Sequence, residues 1–450
     1  MSQLSKVDPQ VDAILKSEIE RQQKTLSLIP SENFASKAVR EVVGSVFMNK
    51  YSEGYPGKRF YEGNSNIDDL ERLAIKRAKK AFSLPKNWGV NVQALSGSSA
   101  NIAVLLALLT PGDKILSMYL PDGGHLSHGW SFSKQMATEK DKFVYRGGER
   151  KVNVVSKIFS VIQYKSDPKT QVFNYDEIER IALEEKPRLI ITGGTAYPRE
   201  IDYKRMRDIA NKVGAYYLAD IAHEAGLIAS GVNKSPVGIA DVVTMTTHKT
   251  LRCNRGAIIL AKKEIIKLVN SSIFPGLQGG PHNHSIAGIA VGLGEVLTSE
   301  FKDYARQIVE NAQLLSTELI KRGFNVVTGG TDKHLILIDL NNFGVLGKKF
   351  ARALAYAGIV ANKNTMPGET RSPNDPSAIR LGTPFVTTRG MKEKEMKQIA
   401  KWVYEVMEIC QNYKSIDDFD KFESKIASDS GILRIRAEVS DLCIQFPLDV

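Results

Sequence analysis

Two stretches decide the fold: Ala215-Tyr-Tyr-Leu-Ala-Asp-Ile-Ala-His223 and Val242-Val-Thr-Met-Thr-Thr-His-Lys-Thr250. Each begins with a short apolar, β-branched or aromatic run and ends on chargeable residues, Asp220 and His223 in the first, His248 and Lys249 in the second. Such runs are too short for a helix and lack the polar alternation of a half-wet strand, so they read as strands buried on both faces. Leu189 to Thr192 and Ala257 to Leu260 are two more, and helical patterns alternate with these runs from about residue 66 to 280. That alternation predicts an α/β domain around a mainly parallel central sheet.

Outward from this region the pattern changes on both sides. The N-terminal 65 residues read as an arm: an amphipathic helix (Val11 to Lys24), then Leu28-Ile-Pro-Ser-Glu-Asn-Phe34, then the Gly- and Tyr-rich loop Tyr51-Ser-Glu-Gly-Tyr-Pro-Gly-Lys-Arg-Phe-Tyr-Glu-Gly63. After Pro281 a long helical stretch, Ser285 to Arg322, precedes the strand-like Leu335-Ile-Leu-Ile-Asp-Leu340 and further helices. The expected division is therefore 1–65, a large domain 66–280, and a smaller C-terminal α+β domain 281–450.

Composition narrows the class. In 450 residues, 42% hydrophobic and 25% charged, there is apolar mass for a large core and no bias toward disorder. The apolar run Ile102 to Leu109 stops at Thr110-Pro-Gly112, short of the roughly 18 residues of a membrane span. Cys253, Cys410 and Cys443 show no paired spacing, and the N-terminus lacks the apolar core of a secretory signal, so a reducing cytoplasm is expected. The net charge of +11 is uneven, with nine basic residues against four acidic between Lys134 and Lys169. A nucleic-acid partner would need aromatic residues interleaved with basic ones, and none are, so a solvated basic surface is the simpler expectation.

Lys249 lies just past a buried strand, where α/β sheets place ligands. Most lysines are merely solvated, but an amine in a strand-end cleft can form a Schiff base with pyridoxal phosphate. Such a site needs an acid for the pyridine nitrogen, and Asp220 ends a neighbouring strand, where it could also cap the following turn. It needs a phosphate cradle, and Ser96-Gly-Ser-Ser99 enters a helix, although alone that is an ordinary cap. It needs a ring over the cofactor, and His125 sits in the Gly-framed loop Asp122 to Gly129. His282-Asn-His284 has a metal-like spacing but no acidic or thiol partners nearby, so it is read as structural and no metal is expected.

Together with Asn49 to Arg59, Asp220-Ile-Ala-His223, Thr247-His-Lys-Thr-Leu251, Phe274-Pro-Gly-Leu-Gln-Gly-Gly-Pro281 and Ile379-Arg-Leu-Gly-Thr-Pro384, these segments resemble the serine hydroxymethyltransferase family. The resemblance spans nearly the whole chain and implies the aspartate-aminotransferase-like fold type I of pyridoxal-phosphate enzymes. It implies reversible transfer of the hydroxymethyl carbon of serine to tetrahydrofolate or a related reduced pterin, giving glycine and 5,10-methylenetetrahydrofolate through a cofactor aldimine and quinonoid. Lys249 would carry the cofactor, Asp220 its pyridine nitrogen, His125 its ring face, and His223 would lie near its phenolic oxygen. Gly97, Ser98 and His248 would hold the phosphate, Thr195 would contact the cofactor, and Tyr51 and Gly280 would reach the phosphate from a second subunit of a homodimer. Ser31, Tyr61 and Arg380 would grip the amino acid, with Tyr61 and His223 also serving catalysis; Glu53 would handle a proton. Leu120, Gly124, His125, Leu126, Asn364 and Ser372 would line the folate site.

Some residues depart from the family pattern. Thr195 stands where Ser is expected, Cys253-Asn254 where small residues or Pro are usual, and Asn374 where an aromatic is usual; Trp130 follows the histidine loop, and a stretch near 133–157 looks additional. The basic stretch 134–169 would suit a polyglutamate folate tail, in competition with a solvated insertion. The alternative within enzymes is a fold type I aldolase acting on β-hydroxy amino acids without a pterin.

Overall fold

A computed structural model describes residues 2–132 and 143–449. Its centre is an eight-stranded sheet formed by β1 (Trp88–Asn91), β2 (Lys114–Met118), β3 (Val144–Tyr145), β4 (Ser160–Tyr164), β5 (Leu189–Thr192), β6 (Tyr216–Asp220), β7 (Val242–Thr246) and β8 (Ala257–Lys262). The spatial order is β1-β8-β7-β6-β5-β2-β4-β3. The five strands from β7 to β4 run parallel in register, Leu218 lying opposite Val242 and Ile190 opposite Tyr217. The strand alternation is that of a sheet covered twice: Tyr217 and Ala219 join one apolar cluster and Leu218 the other, all three fully buried.

β8 departs from the parallel expectation. It runs antiparallel to β7, with Thr246 opposite Ala257, and antiparallel to β1 on its other side. Residues 247–256 are too few for the crossover of a dozen or more that a parallel neighbour requires. They form a tight connection instead, and Lys249 is in it.

Four helices matter to the site: α1 (Ser65–Ala81), α2 (Gly97–Leu108), α3 (Asn283–Val296) and α4 (Ser299–Lys321). The single helical stretch expected from Ser285 to Arg322 is broken at Leu297-Thr298, where the Thr298 hydroxyl accepts from the Phe301 amide and caps α4. A four-stranded antiparallel sheet follows, β9 (Asn325–Val326), β10 (Leu335–Asp339), β11 (Asn362–Asn364) and β12 (Ala378–Gly382), in the order β9-β10-β12-β11.

The apolar contacts change sides within α4. Ile308 belongs to the core around the large sheet, while Leu315 and Leu319 belong to the core around the small one. We therefore propose a domain division inside α4 rather than at residue 281. The N-terminal arm is likewise shared: Leu26–Ser27 pairs in parallel with Ile359–Val360 in the small domain, whereas Ser52 donates its hydroxyl to Asn283 Oδ1 on α3 at 2.8 Å. Gly382 must be glycine here, because a Cβ would lie 2.5 Å from Pro30 Cα.

Cys253 and Asn254, the unusual pair after the lysine, are accommodated by glycines one helical turn apart on α3. A Cβ on Gly292 would stand 2.3 Å from Cys253 Sγ, and one on Gly288 2.3 Å from Asn254 Oδ1. Gly292→Ala should therefore lower stability by about 1–3 kcal/mol, the usual cost of overpacking. Urea unfolding of Gly292→Ala with and without Cys253→Gly checks this: the second change should recover most of the loss, and an equal loss in both backgrounds would mean that the thiol is not the obstacle.

Candidate active site

Asp220 ends β6 in the buried cleft above the sheet. Its Oδ2 accepts from Asn101 Nδ2 at 2.8 Å and lies 2.9 Å from His128 Nε2; its Oδ1 accepts from the Ala222 amide at 3.0 Å. Burial alone would raise its pKa, but the hydrogen bond and charge of His128, with Asn101, hold the carboxyl well below the usual range. Asn101 projects from α2 and is oriented by Thr244, whose hydroxyl donates to Asn101 Oδ1 at 2.6 Å. Gly193, at φ 115°, follows β5, and a Cβ there would stand 2.0 Å from the Asp220 carbonyl oxygen.

Lys249 is held by its turn. Thr247 Oγ1 donates to the Asn254 carbonyl at 2.6 Å, Thr250 Oγ1 to the His223 carbonyl at 2.9 Å, and Asn33 Nδ2 to the carbonyl of Lys249 itself at 2.9 Å. Gly226 lets the next element approach, since a Cβ there would meet the Thr250 carbonyl oxygen at 2.1 Å. The lysine side chain is buried, and desolvation pulls its pKa down to about 8 against the opposing charge of Asp220. About a tenth of such an amine is neutral at pH 7.

Neutral imidazoles surround these two charges. Burial, followed by the charge of His128, brings His125 down to about 4; burial, followed by Arg255 and Lys249, brings His248 down to about 3. His223 lies well below the ordinary range for the same first reason, and its Nδ1 is 3.2 Å from Nε2 of His334 in a stacked pair. His223 Nε2 and His248 Nδ1 are buried without a partner among the described residues. Buried nitrogens are rarely left so, and these are available to a bound group. The cradle is also present: α2 begins at Gly97, which packs so closely on Thr246 that a Cβ would be 2.7 Å from its methyl, and Ser98 is exposed at the helix N-terminus. Carboxylate, amine, imidazole face and helix N-terminus together fit pyridoxal phosphate. Donor atoms of His125, His128 and Asp220 also fall within 4.8 Å of one another, the spacing of a metal site, but they are already engaged with each other and with Ser127.

Arg380 comes from the small domain. It is 6% exposed, donates to the Thr195 carbonyl and, at 3.4 Å, to Asn362 Oδ1, and has no carboxylate partner among the described residues. Burial lowers it to about 10. Ser31 is half-buried close by, since the Gly382 amide two residues beyond Arg380 donates to the Leu28 carbonyl at 2.7 Å.

Tyr51, Glu53, Tyr61 and Gly280 form a second group. The rings of Tyr51 and Tyr61 meet edge to face at 5.1 Å, Tyr51 Oη is 3.5 Å from Glu53 Oε1, and Gly280 lies against the Tyr51 ring. No hydrogen bond among the described residues joins these four to Lys249, Asp220 or His125. Their loop is fastened from below by Arg59, whose buried guanidinium pairs with Asp68 at 2.8 Å and Glu71 at 2.6 Å and donates to the Gly54 carbonyl at 2.7 Å.

Of the expected folate residues, Gly124 is buried, Leu120 and Asn364 are partly buried, and Leu126 and Ser372 are exposed. Asn374 is exposed and its carbonyl accepts from Lys363, so it occupies the rim. Trp130 is buried against Tyr119 at 5.6 Å. In the basic stretch, Lys134, Lys140 and Lys142 lie outside the described residues, and Arg150 and Lys151 are exposed. Asn101, His128, Thr244 and His334 are site residues that no motif singled out. Only His128 had a signal, as the second imidazole of His125-Leu-Ser-His128.

A buried lysine on a strand-end turn, a carboxylate held ionised and a helix N-terminus alongside define the carbonyl-cofactor enzymes of the fold type I class. Among curated proteins, this chain is 49% identical to the serine hydroxymethyltransferase of Acidothermus cellulolyticus (strain ATCC 43068 / DSM 8971 / 11B) over 406 residues, 90% of each chain. It is 48% identical to that of Sorangium cellulosum (strain So ce56) over 444 residues, covering 99% of this chain and 96% of the relative. The family profile of serine hydroxymethyltransferase matches residues 4–403, and the chain belongs to that family.

Because only a neutral amine attacks a carbonyl, capture of pyridoxal phosphate by cofactor-free protein should quicken with rising pH and level off above about 8. Stopped-flow absorbance measures this rate. A rise continuing toward pH ~10, the value of a solvated lysine, would place the reacting amine in water.

Proposed function

We propose that Lys249, Asp220 and Arg380 carry the chemistry of this enzyme, the reversible conversion of serine and tetrahydrofolate to glycine and 5,10-methylenetetrahydrofolate with pyridoxal phosphate as cofactor. When bound, pyridoxal phosphate supplies an electron sink for the bond broken at the α-carbon of serine. Lys249 binds its aldehyde carbon, and Asp220 keeps a proton on its pyridine nitrogen. His125 would cover the ring, and His223, whose buried Nε2 has no partner among the described residues, would lie near the phenolic oxygen. Gly97, Ser98 and His248 receive the phosphate, with Thr195 at the edge of the pocket.

The observation that carries the substrate reading is the buried guanidinium of Arg380 with no anionic partner among the described residues. An uncompensated buried cation is costly, and the carboxylate of serine or glycine compensates it with a two-pronged hydrogen bond. Ser31 and Tyr61 complete the grip, Glu53 moves the proton of the transferred group, and Leu120, Gly124, Leu126, Asn364 and Ser372 face the pterin.

Tyr51, Glu53, Tyr61 and Gly280 serve the site of a second copy of the chain. Supporting this, Tyr51 is 54% exposed, Tyr61 47% and Phe60 74%, beside exposed Val46 and Met48. Contiguous exposed aromatic surface of this kind marks an interface. We assign the enzyme to the cytoplasm: Cys253, Cys410 and Cys443 are buried free thiols, in keeping with a reducing compartment. Among the described residues no helix is long and apolar enough to cross a membrane.

Arg380→Ala should raise the KM for serine by at least roughly thirtyfold, from the ~2 kcal/mol lower bound for truncating one partner of a buried charge pair. Cofactor absorbance should stay intact; unchanged serine binding would remove Arg380 from the site. Glycine with tetrahydrofolate should raise a long-wavelength absorbance band that neither produces alone. A band of equal size with glycine alone would contradict the pterin-dependent reaction.

A further inference from the structure

We propose that Lys333 and Glu224 are positioning residues for this reaction, a buried ionic latch that holds the small domain against the large one so that His334 meets His223 and Arg380 meets Thr195. The proposal rests on the reading of His223 and Arg380 as site residues.

Lys333 enters the large domain from the loop that leads into β10. Its Nζ lies 3.0 Å from Glu224 Oε2, with side-chain exposures of 5% and 6%. Tyr203 donates its hydroxyl to the other carboxylate oxygen at 3.2 Å, and the ammonium stands 5.6 Å from the centroid of the Tyr197 ring. The same loop grips the segment after β5: Thr331 Oγ1 donates to the Pro198 carbonyl at 3.1 Å, the Asp332 amide to the same oxygen at 3.0 Å, and Asp332 pairs with Arg199 at 2.8 Å. Arg199 and Asp332 are substantially exposed, so water and salt weaken that pair. The Lys333 pair is shielded from both.

Two site residues depend on this anchorage. His334 immediately follows Lys333, and its Nε2 meets His223 Nδ1 at 3.2 Å with rings stacked 5.4 Å apart. β10 then carries the register onward, Leu337 lying opposite Arg380 on β12. Arg380 donates to the carbonyl of Thr195, in the segment that also supplies Tyr197, Pro198 and Arg199 to the latch. The loop thus sets both where His223 is supported and where the substrate-binding guanidinium stands.

Two buried charges stabilise a fold no better than a well-packed apolar pair of similar volume, but they accept far fewer arrangements. The latch also shapes the local field. Burial, then Lys333, then Lys249 and Arg380 keep His334 neutral; burial, then Lys249, Arg380, His334 and His125 do the same for His223. Removing the Lys333 ammonium relieves part of this repulsion, so the folded-state pKa of His334 rises and imidazolium forms at a higher pH.

The test compares wild type with Lys333→Met, Glu224→Leu and the double variant, which replaces the latch with apolar side chains that can fill the same space. In wild type without cofactor, selective ¹⁵N-histidine NMR should show His223 and His334 still neutral below the ordinary imidazole range. In Lys333→Met the His334 signal should titrate at a higher pH than in wild type, since the largest charge holding that imidazole neutral is gone. The double variant should fold, yet its KM for serine should rise roughly tenfold, the scale seen when a supporting hydrogen-bonded partner is lost, with a smaller change in kcat. A folded double variant with wild-type KM, or Lys333→Met with an unmoved His334 titration, overturns the proposal. If His223→Asn and Arg380→Ala also leave the KM for serine unchanged, the site reading has failed; if they raise it while the double variant does not, the latch alone has failed.

Discussion

Asp220 has almost no surface in water, and burial on its own would favour the neutral acid. Hydrogen bonds from Asn101 and His128 to one oxygen, and from the Ala222 amide to the other, reverse that preference. Each partner arrives on a different element: Asn101 on α2, His128 on the Gly-framed loop after β2, Ala222 on the turn leaving β6. The carboxylate therefore ties the phosphate cradle, the ring-covering loop and the central strand to one point. Lys249, across the cleft, feels this anion as the main force opposing its own desolvation. Without the anion, the lysine would lose its principal electrostatic support.

The cations complete the arrangement from the other side. Arg380 and Lys249 both push the neighbouring imidazoles toward neutrality, so the cleft combines one fixed anion, two cations and several uncharged rings. Such a site has room for negative charge, which a phosphate and an amino-acid carboxylate supply. The residues are drawn from two cores that meet within α4, so the distance between lysine and arginine is a property of domain packing. On the proposal made for Lys333 and Glu224, the contacts of the 331–334 loop bear on substrate binding through the placement of His334 and Arg380.

Much of this was legible in the sequence because it follows from local chemistry. Buried strands announce themselves as short apolar runs, and Asp220 and Lys249 stand directly at or beyond their ends. The antiparallel turn of β8 could have been inferred from the short connection 247–256, whose length forbids a crossover. Other features have no local signature. Asn101 reads as a polar residue near a helix start, and only the pairing of β6 beside β7 shows that it reaches Asp220. The partners of Lys333 and Glu224 are separated by over a hundred residues, as are those of Cys253-Asn254 and Gly288–Gly292 by over thirty, so each residue alone looks ordinary. The change of core within α4 was hidden for a related reason: α3 and α4 read as continuous helix, and which core a helical face meets is decided by tertiary packing.

The central claim is that Lys249 is the amine that holds the cofactor under the influence of Asp220. Borohydride reduction of protein loaded with pyridoxal phosphate, followed by proteolysis and mass spectrometry, locates the bond directly. A single phosphopyridoxyl group on the peptide containing Thr247-His-Lys249 is the predicted result. The label on any other lysine, or on none, would contradict the account.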